Sequence, residues 1–130
     1  MVQKTAEEFV GTEPERLCYN ALIQIGLAPD VDFTFQTSLL GGRMDKGGLV
    51  VDFVIENPPD LAISVLGVYF HYKLGGGTRA RDLMTREILA QNGITLIFID
   101  ENDLMDNARH YVEEALQFRD HSALATGGTP

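Results

Sequence analysis

The chain has 130 residues, 45% of them hydrophobic, enough for one core that needs no disulfide or metal to hold it together. Nineteen acidic residues against ten basic ones leave a net charge of -9, which argues against a sequence-independent DNA coat, since such coats neutralise phosphates with Lys and Arg. The charge is uneven: residues 1–40 carry -4, residues 41–86 carry +1 and residues 87–130 carry -6.

The single Cys18 excludes an intrachain disulfide framework and a multi-cysteine zinc site, and it fits a reducing, intracellular compartment. No apolar run reaches signal-peptide length or the roughly 20 residues of a membrane span, so a soluble, cytoplasmic protein is expected.

Thr12-Glu13-Pro14-Glu15 reads as a capping box opening a helix over about 13–25, with Leu17, Ala21, Leu22 and Ile25 as its apolar stripe and Gly26 as its stop. Phe33 and Phe35 alternate with polar residues, a glycine-rich loop follows at 41–48, and Leu49 to Ile55 is a second strand. Asn57-Pro58-Pro59-Asp60 is a turn, and Leu61 to Val68 is a central strand apolar on both faces apart from Ser64. Residues 71–78, with Gly75-Gly76-Gly77, read as a mobile loop, residues 79–92 as a helix, and Ile94 to Ile99 as a buried strand. The helix at 79–92 is long enough for a crossover, which allows the strands on either side of it to be parallel. Asp103 is expected to cap a last helix burying Leu104, Ala108, Tyr111, Val112, Ala115 and Phe118, and the chain from His121 reads as a frayed tail. The expected organisation is an arm at 1–11, one domain at 12–119 and a flexible tail at 120–130. The fold is α/β, in the order α-β-β-β-α-β-α, with a mixed central sheet.

Two residues stand out chemically. Asp52 interrupts Leu49-Val50-Val51-Asp52-Phe53-Val54-Ile55, where an ionised carboxylate is costly to bury without a partner. A backbone N–H, Arg43 or a metal ion would each satisfy it. His71 follows the central strand, behind Gly67-Val68-Tyr69-Phe70, as either a packed histidine or a proton-transfer group.

Taken together, Gly41-Gly42-Arg43, Val51-Asp52-Phe53, Val65 to His71, Arg81-Asp82 with Leu89 and Gly93, and Asp100-Glu101 resemble the PD-(D/E)XK nuclease superfamily, of restriction-endonuclease-like fold, and within it the very-short-patch-repair branch. The resemblance spans roughly residues 12–118 and implies an endonuclease, bacterial or phage-encoded, that hydrolyses branched, mismatched or nicked DNA. It implies Asp52 as a ligand of Mg²⁺ or Mn²⁺, the Val65 main-chain carbonyl as a second and Glu15 as a third through water, with His71 assisting proton transfer. Arg43, Lys46, Lys73, Arg79 and Arg81 lie on the loops and helix start flanking this site and read as a phosphate-binding rim or as solvated surface charge. A homodimer is common among such nucleases, because two strands are cut.

The departures are Ser64 and Leu66, which occupy the positions of the E-x-K carboxylate and lysine, and the lack of cysteines for the repair branch's zinc site. They define the alternative: a catalytically inactive relative serving as a binding or structural component, of the kind found in phages.

Overall fold

The computed structural model describes residues 9–39, 49–67 and 76–126. Helix α1 (Glu13–Ile25) begins as its sequence dictates: the Thr12 hydroxyl accepts the Glu15 N–H at 3.3 Å, and Glu15 Oε1 accepts the Thr12 N–H at 2.8 Å. Gly26, at φ 119, ends it in a conformation that L side chains rarely adopt. Then follow β1 (Phe33–Leu39), β2 (Leu49–Ile55), β3 (Leu61–Leu66), α2 (Gly76–Gln91), β4 (Thr95–Asp100), α3 (Glu101–Leu116) and a short α4 (Ala123–Thr126).

The four strands form one mixed sheet in the order β1-β2-β3-β4, antiparallel at the first two pairings and parallel at the third. Helix α2 is the crossover that the parallel pair requires. On one face, α1 and α3 bury Cys18, Leu22, Leu104 and Val112 against Phe53, Ile55, Leu61, Ile63, Ile97 and Ile99. On the other, Leu89 of α2 and Leu124 of α4 pack on Val51, Ala62, Leu66, Leu96 and Phe98. The result is a helix–sheet–helix sandwich in which β3 and β4 are covered on both sides, in keeping with their mostly apolar sequences.

One irregularity sits in β2. Strict alternation would send Val51, Phe53 and Ile55 to the same face, yet Val51 packs with the α2 side while Phe53 and Ile55 pack with the α1 side. The phase slips at Asp52. Opposite it, Gln36 of β1 has φ 54, and the Gln36–Asp52 pair is missing from an otherwise continuous β1–β2 register.

Several boundaries differ from expectation. The glycine run at 75–77 was expected to be loop, but α2 already includes Gly76 and Gly77. Helix α3 starts two residues before Asp103, with Asp100 at its N-cap. It bends at Asn107 (φ -157), whose Oδ1 accepts the His110 N–H at 3.1 Å and so caps the second half of the helix. Phe118, expected on the buried face, lies beyond the helix and is 44% exposed.

The expected frayed tail is instead a strap, described as far as residue 126. Glu114 receives Arg119 at 2.7 Å and His121 at 2.9 Å, and these bonds, that of His121 foremost, hold its carboxyl below the usual range. Asp120 then spans the edge of β4, with Oδ2 accepting the Phe98 N–H at 2.8 Å and Oδ1 accepting both the Ser122 N–H and its hydroxyl. Ser122 is buried and its Oγ caps α4, whose Leu124 enters the second core. An edge strand is thus covered by side chain and loop. The sequence hid this because Ala-Leu-Ala among small polar residues carries no helical period long enough to read.

Replacing Phe53, which has no exposed surface, with Ala should lower the unfolding free energy in urea by about 3–5 kcal/mol. A second outcome concerns Asp103, whose carboxyl is pushed up by burial and by the neighbouring Asp100 and Asp106, against the pull of His121. A raised folded-state value means that ionisation penalises the fold above that value and that the penalty fades as pH falls through it. Asp103→Asn should therefore be the more stable protein at pH 7, with the advantage disappearing in urea titrations below about pH 4.

Candidate functional site

The β2–β3 ladder runs from Ile55↔Leu61 to Phe53↔Ile63 and stops, whereas β3 stays paired with β4 as far as Leu66↔Asp100. The two strands part at Asp52 and Ser64. In place of the next ladder bond, Asp52 Oδ2 accepts the Val65 N–H at 2.7 Å, a short, charge-assisted bond of the stronger kind. Of the readings open for Asp52, a backbone N–H partner is what the structure shows. Because the N–H and C=O of one residue leave an extended strand by the same edge, the Val65 carbonyl also faces the fork.

The fork opens into a cavity of about 380 Å³ lined by Thr12, Pro14, Glu15, Val50, Asp52, Ser64, Val65, Leu66, Gly67, Asp82 and Glu101. It lies at the carboxyl ends of the parallel pair β3 and β4, where the sheet changes from antiparallel to parallel partners, the usual place for a ligand crevice in an open α/β sheet. Each wall has its own support. The α1 capping box orients Glu15, and Asp52 stands at the phase slip in β2. Asp82 comes from α2, and Glu101 is the first residue of α3. Glu101 reaches over Gly67, its Oε2 lying 3.8 Å from the point a methyl group on that glycine would occupy.

Among the described residues, four carboxylates and no Lys, Arg or His line the cavity. Their field reaches the buried thiol of Cys18, one turn along α1 from Glu15. Burial pushes that thiol well above the ordinary cysteine range, and Asp52 and then Glu15 push it further. Cys18 is accordingly no nucleophile. Carboxylates so placed attract cations.

Of the expected site residues, Asp52, Glu15 and Val65 come together here. Arg81 is exposed on α2 and does not line the cavity, and of Arg79 only the backbone in α2 is described. His71, Arg43, Lys46 and Lys73 lie outside the described residues. Asp82 and Glu101 were given no role in the sequence reading. Both stand in segments that carry the resemblance, Arg81-Asp82 and Asp100-Glu101, and Glu101 also directly follows a buried strand of a parallel pair. Among the described residues, no three His, Cys, Asp or Glu side chains converge closely enough to hold a metal ion by themselves, and no helix is long and apolar enough to cross a membrane. Comparison with protein-family models, with curated proteins and with solved structures finds no match.

Asp52→Ala should cost about 1–3 kcal/mol of stability in urea, because the Val65 N–H loses its acceptor in a half-buried place. Asp52→Asn, which keeps an acceptor oxygen, should cost clearly less.

Proposed function

We propose that the protein is a divalent-cation-dependent phosphodiester hydrolase of restriction-endonuclease-like fold acting on DNA, with its centre at the β2–β3 fork. One observation carries the reading: Asp52, an acid in a buried strand, stands where two strands part and shares a cavity with Glu15 and the fork-facing edge of Val65. The element order and the mixed sheet support it.

The donor set suits Mg²⁺ or Mn²⁺. It consists of oxygens alone, and Mg²⁺ is commonly held by one or two carboxylates with water and substrate phosphate completing its shell, so a three-acid cluster is not required. Asp52 and Glu15 would hold the ion, with the Val65 carbonyl beside them. When bound, such an ion neutralises charge on the phosphate and lowers the pKa of water. The chain's own contributions are positional. The Val65 N–H fixes Asp52, and the Thr12 N–H fixes Glu15. His71 is the proposed proton-transfer group, because an imidazole can both take up and release a proton near neutral pH. Arg81, with Arg43, Lys46, Lys73 and Arg79, is the proposed phosphate rim. It supplies locally the positive charge that the chain as a whole lacks.

A second reading, a catalytically inactive relative that binds or assembles, has its own observation. Leu66, at the position of the E-x-K lysine, is buried in the core with Leu89 and Leu96, and Ser64 replaces the carboxylate.

Incubating the full chain with linear, mismatched, nicked and four-way-junction DNA in Mg²⁺ or Mn²⁺ separates the two. Cleavage that disappears with a chelator and falls about a hundredfold or more in Asp52→Asn is expected, as the loss of several kcal/mol of charge stabilisation would give. Activity that survives Asp52→Asn would remove the site from this fork, and a folded protein that cuts nothing would favour the inactive relative.

A further inference from the structure

The only Asn-Gly pair in the chain, Asn92-Gly93, stands where α2 ends and the approach to β4 begins. An asparagine followed by glycine is the pair most given to losing its side-chain amide, because no side chain on the second residue shields its backbone nitrogen from the amide carbon. The other asparagines are placed differently. Asn57 precedes a proline, which has no N–H to react, and Asn20, Asn102 and Asn107 precede residues with side chains.

The fold both exposes this pair and ties it. Asn92 and Gly93 are exposed. Gly93, at φ 80, ends α2 in the left-handed conformation; its N–H donates to the Ala90 carbonyl at 3.0 Å, and the Ile94 N–H donates to the Leu89 carbonyl at 2.9 Å. These two bonds make a Schellman motif, and Ile94 packs against the core that contains Leu89, the hydrophobic contact that accompanies such an ending. The Asn92 amide is held as well, Nδ2 donating to the Ile88 carbonyl at 2.9 Å. Both reacting groups, the Gly93 nitrogen and the Asn92 amide, are thus engaged by carbonyls of the last turn of α2 and are released when that turn opens. An exposed helix end with no basic residue in its last turn opens more readily than the core beneath it.

We infer that Asn92 is a self-modification site, at which the folded chain loses ammonia at a rate set by opening of the last turn of α2. In the open turn the Gly93 nitrogen gives its proton to hydroxide and attacks Asn92 Cγ. The N–Cγ bond forms, the Cγ–Nδ2 bond breaks, and the amide nitrogen takes a proton from water and leaves as ammonia. Water then opens the succinimide ring so formed: cleavage of the new N–Cγ bond leaves aspartate, and cleavage at the main-chain carbonyl leaves isoaspartate, with the backbone running through the side chain. Either product puts a carboxylate at the C-terminal end of a helix, the end that repels it, and removes the donor to Ile88. Isoaspartate also lengthens the chain between α2 and β4, where the Thr95 N–H is paired with the Asp60 carbonyl at 2.9 Å.

Incubating the full chain in mildly alkaline buffer, with and without urea, and mapping the amide-to-acid mass change onto its peptides tests this. Conversion at Asn92 ahead of every other asparagine is expected in both, about a hundredfold more slowly in the native chain, as about 2.8 kcal/mol of opening free energy gives. Ile94→Ala keeps the Asn-Gly pair and trims the contact that clamps the turn; it should speed the native reaction about tenfold and leave the rate in urea unchanged. The isoaspartyl chain should unfold at lower urea than Asn92→Asp, which adds the charge alone. Equal rates with and without urea, faster loss at another asparagine, or a native chain that keeps Asn92 intact while the unfolded chain converts it would each overturn the inference, and an isoaspartyl chain with the parent's urea midpoint would remove its effect on the junction of α2 and β4.

Discussion

The hydrogen bond from the Val65 N–H to the Asp52 carboxylate decides where the sheet opens. Antiparallel strands β2 and β3 are held by three ladder pairs and then separate, and separation normally leaves β3 with bare backbone groups facing an apolar interior. A carboxylate is the acceptor that can follow the strand outward, because it reaches farther than a backbone carbonyl and binds more strongly. The bond is made where β2 slips phase, Val51 packing on one face and Phe53 on the other. The fork and the cavity within it open at this substitution of side chain for ladder, and acids from α1, α2 and α3 line the same cavity.

The elements that could be read in the sequence were those with dense local signals. Helix α1 has a capping box, an apolar stripe and a terminal glycine, and its observed limits are those expected. Strand β2 was bounded by glycines and prolines, and the crossover α2 announced the parallel pair. What escaped depended on non-local bonds. Glu101 looked like the start of a surface helix, and the strap looked like debris, because Asp120 and Ala123 acquire meaning only from partners 22 and 23 residues away. The oddity of Asp52 was visible as a charge in an apolar strand. Which of its candidate partners answered it was not, since a backbone N–H on the next strand leaves no mark in the sequence.

Charge takes on a different sense once the fold is known. An overall excess of acid dispersed over a surface mainly sets solubility and non-specific repulsion. Here part of it is brought to one cavity, to which α1, β2, α2 and α3 deliver one carboxylate each. Assembling like charges costs free energy in the empty fold, and a bound cation would return it, so the acids that weaken general attraction to a polyanion are also those that would make a bridged contact local.

The burial of Cys18 has a consequence for redox behaviour. Disulfide exchange proceeds through the thiolate, and this thiol is enclosed beneath α1 and held in its protonated form by burial and by the acids next to it. The folded chain is therefore indifferent to the redox poise around it, and its cysteine content carries less information about compartment than a count alone implies. The same enclosure makes the sulfur a natural clock: an alkylating reagent reaches it only when α1 lifts from the sheet, so the rate of labelling reports how often the acidic cleft and the core beneath it come apart together.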